Sequence, residues 1–160
     1  MSSISVTEQR TGLSTFFAGV DGIETVYQRW PRALQNDNLP ALIIQLGPAQ
    51  YIKSGQGYGG EELIVRRQWM ATIFVQNVTK GDEFAAEEAA EAFLHVVPDA
   101  LAAKKRIKTS VTDGYRMFDV DIDGGSDEGV RMMQYNDLNY AGIEVSFFTI
   151  TEEPITPTSA

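Results

Sequence analysis

Three short groups of residues have types and spacings that could support chemistry. Residues 53–64 read KSGQGYGGEELI, and Gly55, Gly57 and Gly60 in them satisfy the spacing G-x-G-x-x-G. In a dinucleotide-binding fold these glycines lie between a strand and a helix, whose N-terminal N–H groups bind the pyrophosphate. Here they are followed by ELIVRRQWMATIFVQNVT, a β-branched and aromatic run that is typical of a strand. The sequence therefore predicts a hairpin loop and not a nucleotide site.

The second group could bind calcium. Asp119, Asp121 and Asp123, followed by Gly124, match the first half of an EF-hand loop, in which alternating carboxylates converge on one cation. The bidentate glutamate expected at the twelfth position of that loop is replaced by Val130. The residues before Asp119 alternate as a strand does. We interpret the aspartates as the polar face of a strand, and no metal is expected.

The third group contains the only histidine of the chain. His95 shares a predicted helix face with Glu88 and Glu91, a set that could hold a metal ion. Such sites recruit ligands from other helices, and no second helix of this kind is predicted. The chain has no G-x-S-x-G motif and no cysteine. We expect no enzyme and no cofactor, although the spatial pairing of carboxylates stays open at this stage.

Composition narrows the class of protein further. The 160 residues include 13 basic and 22 acidic side chains, which gives a formal net charge of −9. A nucleic-acid binder needs a basic surface that displaces counterions from the phosphates, so this class is disfavoured. The first residues, MSSISVTEQR, lack a signal-peptide pattern, and no apolar run is long enough for a bilayer. An acidic, soluble domain of the cytoplasmic type, without a membrane partner, is expected.

Apolar periodicity predicts one helix and two strands in the first half of the chain. The helix is expected over Thr7–Ala18, followed by a turn and a short extended piece. Ala41–Leu46 is apolar on both faces, as in a strand that is covered on each side, and Gly47-Pro48 should bend it. Residues 63–75 alternate between apolar and mostly polar side chains, which predicts a half-buried strand.

The second half is predicted to contain a long helix and further strands. The run KGDEFAAEEAAEAFLHVVPDALAAKKR predicts one helix that Pro98 kinks or restarts and that Lys104, Lys105 and Arg106 finish. The inward-facing residues of this helix and of the later strands are expected to be Ala86, Ala90, Phe93, Val97, Leu101, Phe118, Val120, Ile122, Ile143, Val145 and Phe147.

These elements predict an α+β fold. The expected order is α-β-β-β-α-β-β, with a mixed or antiparallel sheet of about four to five strands. The N-terminal helix and the long central helix should pack on one side of this sheet. Residues 1–152 are expected to form a single domain, and residues 153–160, which are polar and contain proline, a flexible C-terminal tail. A cluster of Arg66, Arg67 and Trp69 reads as an exposed interface anchor, with the outer face of an edge strand as the alternative.

One block of the sequence resembles a known family. NDNLPALIIQLGPAQYI, a glycine-rich connection containing GEEL, and QWMATIFVQNV are similar to the conserved block of tail terminator and tail-completion proteins of long-tailed bacteriophages. The flanking GIETVYQRWPRAL, the Ala/Glu-rich helix and the final YAGIEVSFFTITEE also fit this family. The resemblance covers roughly residues 7–152.

The resemblance implies a structural role in the virion. Proteins of this family form a six-membered ring that caps the head-proximal end of the tail tube, stops tube polymerisation and offers a docking surface to the neck. The implied partners are further copies of the chain, the tail tube protein and the head-completion protein, and DNA passes through the ring. No catalysis and no cofactor are implied. Assembly in the host cytoplasm follows from this role.

The resemblance also gives the singled-out residues a place. Gly55, Gly57 and Tyr58 in the long loop would contact the tail tube or the neck, and Arg66, Arg67 and Trp69 remain candidate interface residues. Asp119, Asp121 and Asp123, repeated around a ring, would form an acidic lumen that repels phosphate. The alternatives are another adaptor protein of the head–tail connector and a small acidic metal-binding module.

Overall fold

The computed structural model describes residues 4–54, 62–78, 82–104, 106–109 and 117–154. Its helices are α1 (Val6–Ala18), α2 (Glu83–Glu91) and α3 (Val96–Ala103), with a 3-10 turn at Asn36–Asn38. Its strands are β1 (Thr25–Tyr27), β2 (Ala41–Ser54), β3 (Glu62–Asn77), β4 (Arg106–Lys108), β5 (Met117–Asp121), β6 (Arg131–Tyr135) and β7 (Leu138–Pro154).

The described strands form one mixed sheet, which confirms the α+β class. Their order is β1-β2-β3-β7-β5-β4, and β6 pairs with another stretch of β7. β1 runs parallel to β2, whereas every other pairing is antiparallel. Within the described residues the sheet has seven strands, whereas four or five were expected. β4 was not predicted, because a strand of three residues is too short to show a period-2 pattern in the sequence.

Helix α1 begins with a capping box and packs closely against β4. The Ser5 hydroxyl accepts a hydrogen bond from the Glu8 backbone at 3.1 Å, and the Glu8 carboxylate accepts one from the Ser5 backbone. Gly12 allows the helix to approach β4, because an added Cβ would lie 2.5 Å from the Lys108 carbonyl oxygen. The glycine that weakens the helix locally is therefore required by the packing.

The predicted long central helix is two short helices. A turn at residues 92–95 separates α2 from α3, and Pro98 lies in the first turn of α3, where its missing N–H has no intrahelical partner to lose. The prediction that Arg106 ends the helix is wrong, since Arg106 begins β4 and pairs with β5. Of the predicted inward set, Ala86, Ala90, Val97 and Leu101 are buried as expected, whereas Phe93 is only partly buried.

The helices cover one face of the sheet, as predicted. Residues of all three helices share one core with β3 and β7, around Trp69, Ile73 and Phe147. A second, smaller cluster on the opposite face contains Ile43, Phe74 and Tyr140 and includes no helical residue. We call the first side of the sheet the helical face and the second side the open face.

The β2–β3 hairpin settles the reading of the glycine-rich stretch. β2 and β3 pair antiparallel from Ala41↔Phe74 to Ser54↔Glu62, so the intervening residues join two strands of a hairpin and no helix follows them. The dinucleotide interpretation therefore fails for the reason the sequence gives. The register shifts between Leu46 and Ala49, which confirms the bend predicted at Gly47-Pro48.

The final hairpin is formed by β6 and β7. Asn136 and Asp137 connect β6 to β7 with φ values of 50° and 63°, the left-handed conformations of a type I′ turn. β7 continues to Pro154, and its pairing with β3 extends to Glu62↔Pro154. β7 therefore continues two residues past the predicted boundary at residue 152, and residues 155–160 of the expected tail lie outside the described chain. The single domain over residues 1–152 stays a prediction.

Candidate interaction surfaces

Trp69, predicted as an exposed anchor, is a core residue. It lies on the helical face of β3 and is fully buried. Its indole Nε1 donates a hydrogen bond of 2.8 Å to the Thr149 hydroxyl, which donates one of 2.6 Å to the Gln9 amide oxygen. This buried chain ties α1 to β3 and β7. The exposed position expected of Trp69 is therefore wrong, because period-2 alternation turns this residue towards the helices.

The two arginines of the predicted cluster point to opposite faces of β3. Arg66 lies on the open face, with its guanidinium carbon 3.8 Å from the ring centre of Phe148. It also donates a hydrogen bond of 2.7 Å to the Asp123 carbonyl. Arg67 lies on the other face and donates a hydrogen bond of 3.2 Å to the Gly47 carbonyl at the bulge. The three residues therefore form no joint anchor, and Gly55, Gly57 and Tyr58 lie outside the described residues.

The aspartates of β5 lie on the open face, as the strand pattern predicts. Phe118 is buried on the helical side, whereas Asp119 and Asp121 point away from it. Arg106 pairs with Asp119 at 3.1 Å, and Arg66 lies 3.6 Å from the Asp121 carboxylate. Two of the three carboxylates therefore face a cation, which weakens the acidic field of this patch. An acidic lumen built from these residues stays a prediction.

The candidate metal ligands are not brought together. Over residues 4–54, 62–78, 82–104, 106–109 and 117–154, no three acidic or histidine side chains are close enough to hold a metal ion. His95 is exposed in the turn that precedes α3, whereas Glu88 and Glu91 lie on α2. The break between these helices removes the common face on which the proposed set depended. No described helix is long and apolar enough to cross a membrane.

The outer edge of β2 is the largest unpaired feature of the sheet. β1 pairs only with Ala41–Ile43, so that residues 44–54 have no strand neighbour on that side within the described chain. We call residues 44–54 the β2 edge. It carries exposed apolar side chains on both faces, with exposed fractions of 46% at Leu46, 64% at Tyr51 and 45% at Ile52. Unpaired backbone combined with exposed apolar area is typical of an association surface.

The sequence analysis missed the polar residues that α1 buries. Gln9 and Arg10 are 3% and 7% exposed, and Arg10 lies 5.7 Å from the ring centre of Trp69. The signal was present in the spacing, because Arg10 falls three and seven residues before Leu13 and Phe17 on the buried face of the helix.

Compared with models of known protein families and with curated proteins, the chain matches none of them.

Proposed function

We propose that the protein is a ring-forming structural subunit of a phage tail, of the tail terminator type. It caps the head-proximal end of the tail tube as a hexameric ring, stops tube polymerisation and offers a docking surface to the head-completion protein. DNA passes through the ring. The role is non-catalytic and needs no cofactor, and the protein is located at the tail neck of the virion.

The observation that carries this proposal is the β2 edge. A ring forms when one surface of a copy binds a different surface of the next copy, and an unpaired strand edge is suited to such a heterologous contact. Tyr51 and Ile52 point to opposite faces of the hairpin, since neighbouring strand residues alternate. A neighbouring copy can therefore cover apolar side chains on either side of this edge.

The charge of the chain supports the same role. A net charge of −9 repels the phosphates of DNA, and a conduit has to let its cargo pass without holding it. Arg66 and Arg106, the cations beside the β5 aspartates, are both engaged with carboxylates of the same chain. They therefore add little local attraction for a nucleic acid.

The solution mass tests the proposal. Light scattering over a concentration series should give a species of about 106 kDa, six times the 17.7 kDa of one chain. Negative-stain images of this species should show closed rings with a central hole. A double substitution, Tyr51→Ser with Ile52→Ser, should shift the mass towards the monomer because it removes apolar area from the β2 edge.

Phe84 provides the matched control for this experiment. It is 78% exposed and lies on α2, outside the β2 edge, so Phe84→Ser removes exposed apolar area elsewhere on the molecule and should leave the ring intact. Rings that tolerate the double substitution contradict the role of the β2 edge. A chain of 17.7 kDa at every concentration contradicts a ring that assembles by itself and favours an adaptor elsewhere in the neck.

A further inference from the structure

A groove with a volume of about 450 Å³ lies at the start of the β2 edge and holds two arginines. Arg10 from α1 forms one wall, residues 28–30 form another, and residues 44–46 of β2 form the floor. The groove exists because β1 stops pairing with β2 after Tyr27, where the chain turns away from the strand. We call it the arginine groove.

Arg10 is buried in this groove with an unpaired donor. The residue is 7% exposed, and its Nε finds no hydrogen-bond acceptor among the described residues. Within the described chain, no carboxylate forms an ion pair with Arg10 or with Arg29. The pKa of Arg10 is lowered mainly by burial and, to a smaller extent, by the positive charge of Arg29. The Trp69 ring, 5.7 Å from the Arg10 guanidinium carbon, offers a cation–π contact but no acceptor for the Nε donor. An unpaired buried donor beside a like charge costs stability.

A carboxylate is the group that this arrangement fits. The planar guanidinium presents donors in a fork that matches the two oxygens of a carboxylate, and Arg29 adds a second cation. Gln28 adds an exposed side-chain amide to the same groove, whereas the amide nitrogen of Gln45 already donates to the Thr72 hydroxyl at 2.6 Å. A nucleic-acid backbone fits poorly, because two cations on a chain of net charge −9 do not make a phosphate track.

The walls of the groove favour a carboxylate that is carried on a peptide. Trp30 is 48% exposed and is held in place by ring contacts with Phe74 at 6.0 Å and Tyr135 at 5.4 Å. It therefore offers a fixed apolar surface beside the charged groups. The floor of the groove is the unpaired edge of β2, to which an extended backbone can add as a further strand.

We propose that the arginine groove binds an aspartate or glutamate side chain on an extended segment of a second copy of the chain. Each copy has an excess of carboxylates to offer, with 22 acidic against 13 basic residues. The groove is continuous with the β2 edge, so one neighbouring segment can pair with the strand and place its carboxylate against Arg10. The inference rests on the ring proposed above and names the contact that orients neighbouring copies.

Self-association of charge-neutral variants tests the inference. Arg10→Gln should raise the dissociation constant for association at least ten-fold, measured by light scattering and sedimentation velocity, because it leaves the partner's carboxylate without a cation. Arg29→Gln, at an exposed position, should weaken association several-fold. Arg32→Gln is the matched control, since Arg32 is exposed outside the groove and the substitution changes the charge equally. Its dissociation constant should stay within two-fold.

The outcomes separate this inference from the proposed function. Rings that form equally well with Arg10→Gln and with Arg32→Gln overturn the carboxylate site and leave the ring proposal standing. An open dimer that Arg10→Gln and Arg29→Gln dissociate supports the site and contradicts the ring. A wild-type chain that stays monomeric at all concentrations overturns the site as a contact between copies. If Arg10→Gln misfolds by circular dichroism, Arg29→Gln alone decides, and association within two-fold of the control overturns the proposal.

Discussion

The buried hydrogen-bond chain through Thr149 should be a main source of stability, and Thr149→Val tests this directly. Valine has nearly the same shape as threonine, so the substitution removes the hydroxyl and leaves the packing in place. The Trp69 Nε1 donor then loses its acceptor at 2.8 Å, and the Gln9 amide oxygen loses its donor at 2.6 Å. Trp69 and Thr149 are fully buried and Gln9 is 3% exposed, so water does not replace the lost partner.

The expected cost follows from these two unpaired groups. A buried donor or acceptor without a partner costs about 1–3 kcal/mol. Two such groups together lower the free energy of unfolding by about 2–6 kcal/mol. Because α1 can relax around them, we expect a value in the lower half of this range, about 3 kcal/mol. For a domain of this length, each kcal/mol lowers Tm by about 2–4 °C, so the expected fall is about 6–12 °C. The free energy of unfolding is measured by urea titration, with circular dichroism and tryptophan fluorescence as probes.

Thr151→Val is the matched control for this loss. Thr151 lies two residues further along β7 on the same face, is 5% exposed, and its hydroxyl makes no hydrogen bond within the described residues. The same chemical change there should alter the free energy of unfolding by less than about 0.5 kcal/mol. If Thr149→Val costs no more than Thr151→Val, the buried chain does not stabilise the attachment of α1, and the reasoning is refuted.

Two further predictions concern β7 and its neighbours. Gly142→Ala should lower the free energy of unfolding by about 1–3 kcal/mol in a urea titration, because the new Cβ would collide with the Ile73 carbonyl oxygen and with Met133; an unchanged midpoint would contradict this close approach. Burial and, to a smaller extent, the charge interaction with Tyr135 raise the pKa of Tyr140 in the folded protein. The unfolded chain therefore loses this proton first, and the free energy of unfolding should fall as the pH rises above about 10. Tyr140→Phe should flatten this alkaline loss, and an unchanged pH profile would contradict the assignment.

Local patterns in the sequence were sufficient to predict most of the elements. The helix predicted over Thr7–Ala18, the bend at Gly47-Pro48 and the inward alternation of β5 depend only on neighbouring residues. The glycine-rich stretch was read correctly as a connection within a hairpin, because the type of the following element decides between a loop and a phosphate site. The patterning of charge, with β5 aspartates on one face, was also local.

Contacts between distant parts of the chain decided the rest. The alternation along the sequence places Arg66 and Trp69 on one strand. Pairing with β7 determines that Trp69 contacts Thr149 on the helical face and that Arg66 contacts Phe148 on the open face. Arg106 lies at the end of a helical sequence, yet its pairing with Asp119 on β5 makes it a strand residue. Strand partners are separated by tens of residues, so neither periodicity nor spacing encodes them.

The same division holds for the surfaces proposed to bind other molecules. The amino-acid sequence by itself determined an acidic α+β chain with long strands and without cysteine. Only the tertiary structure decided that β1 stops after Tyr27, that the β2 edge is left without a strand partner in the described chain, and that Arg10 is buried beside Arg29. The physical reason is that an edge or a groove exists where no other part of the chain packs against an element. Which part of an element is left uncovered depends on the path of the whole chain.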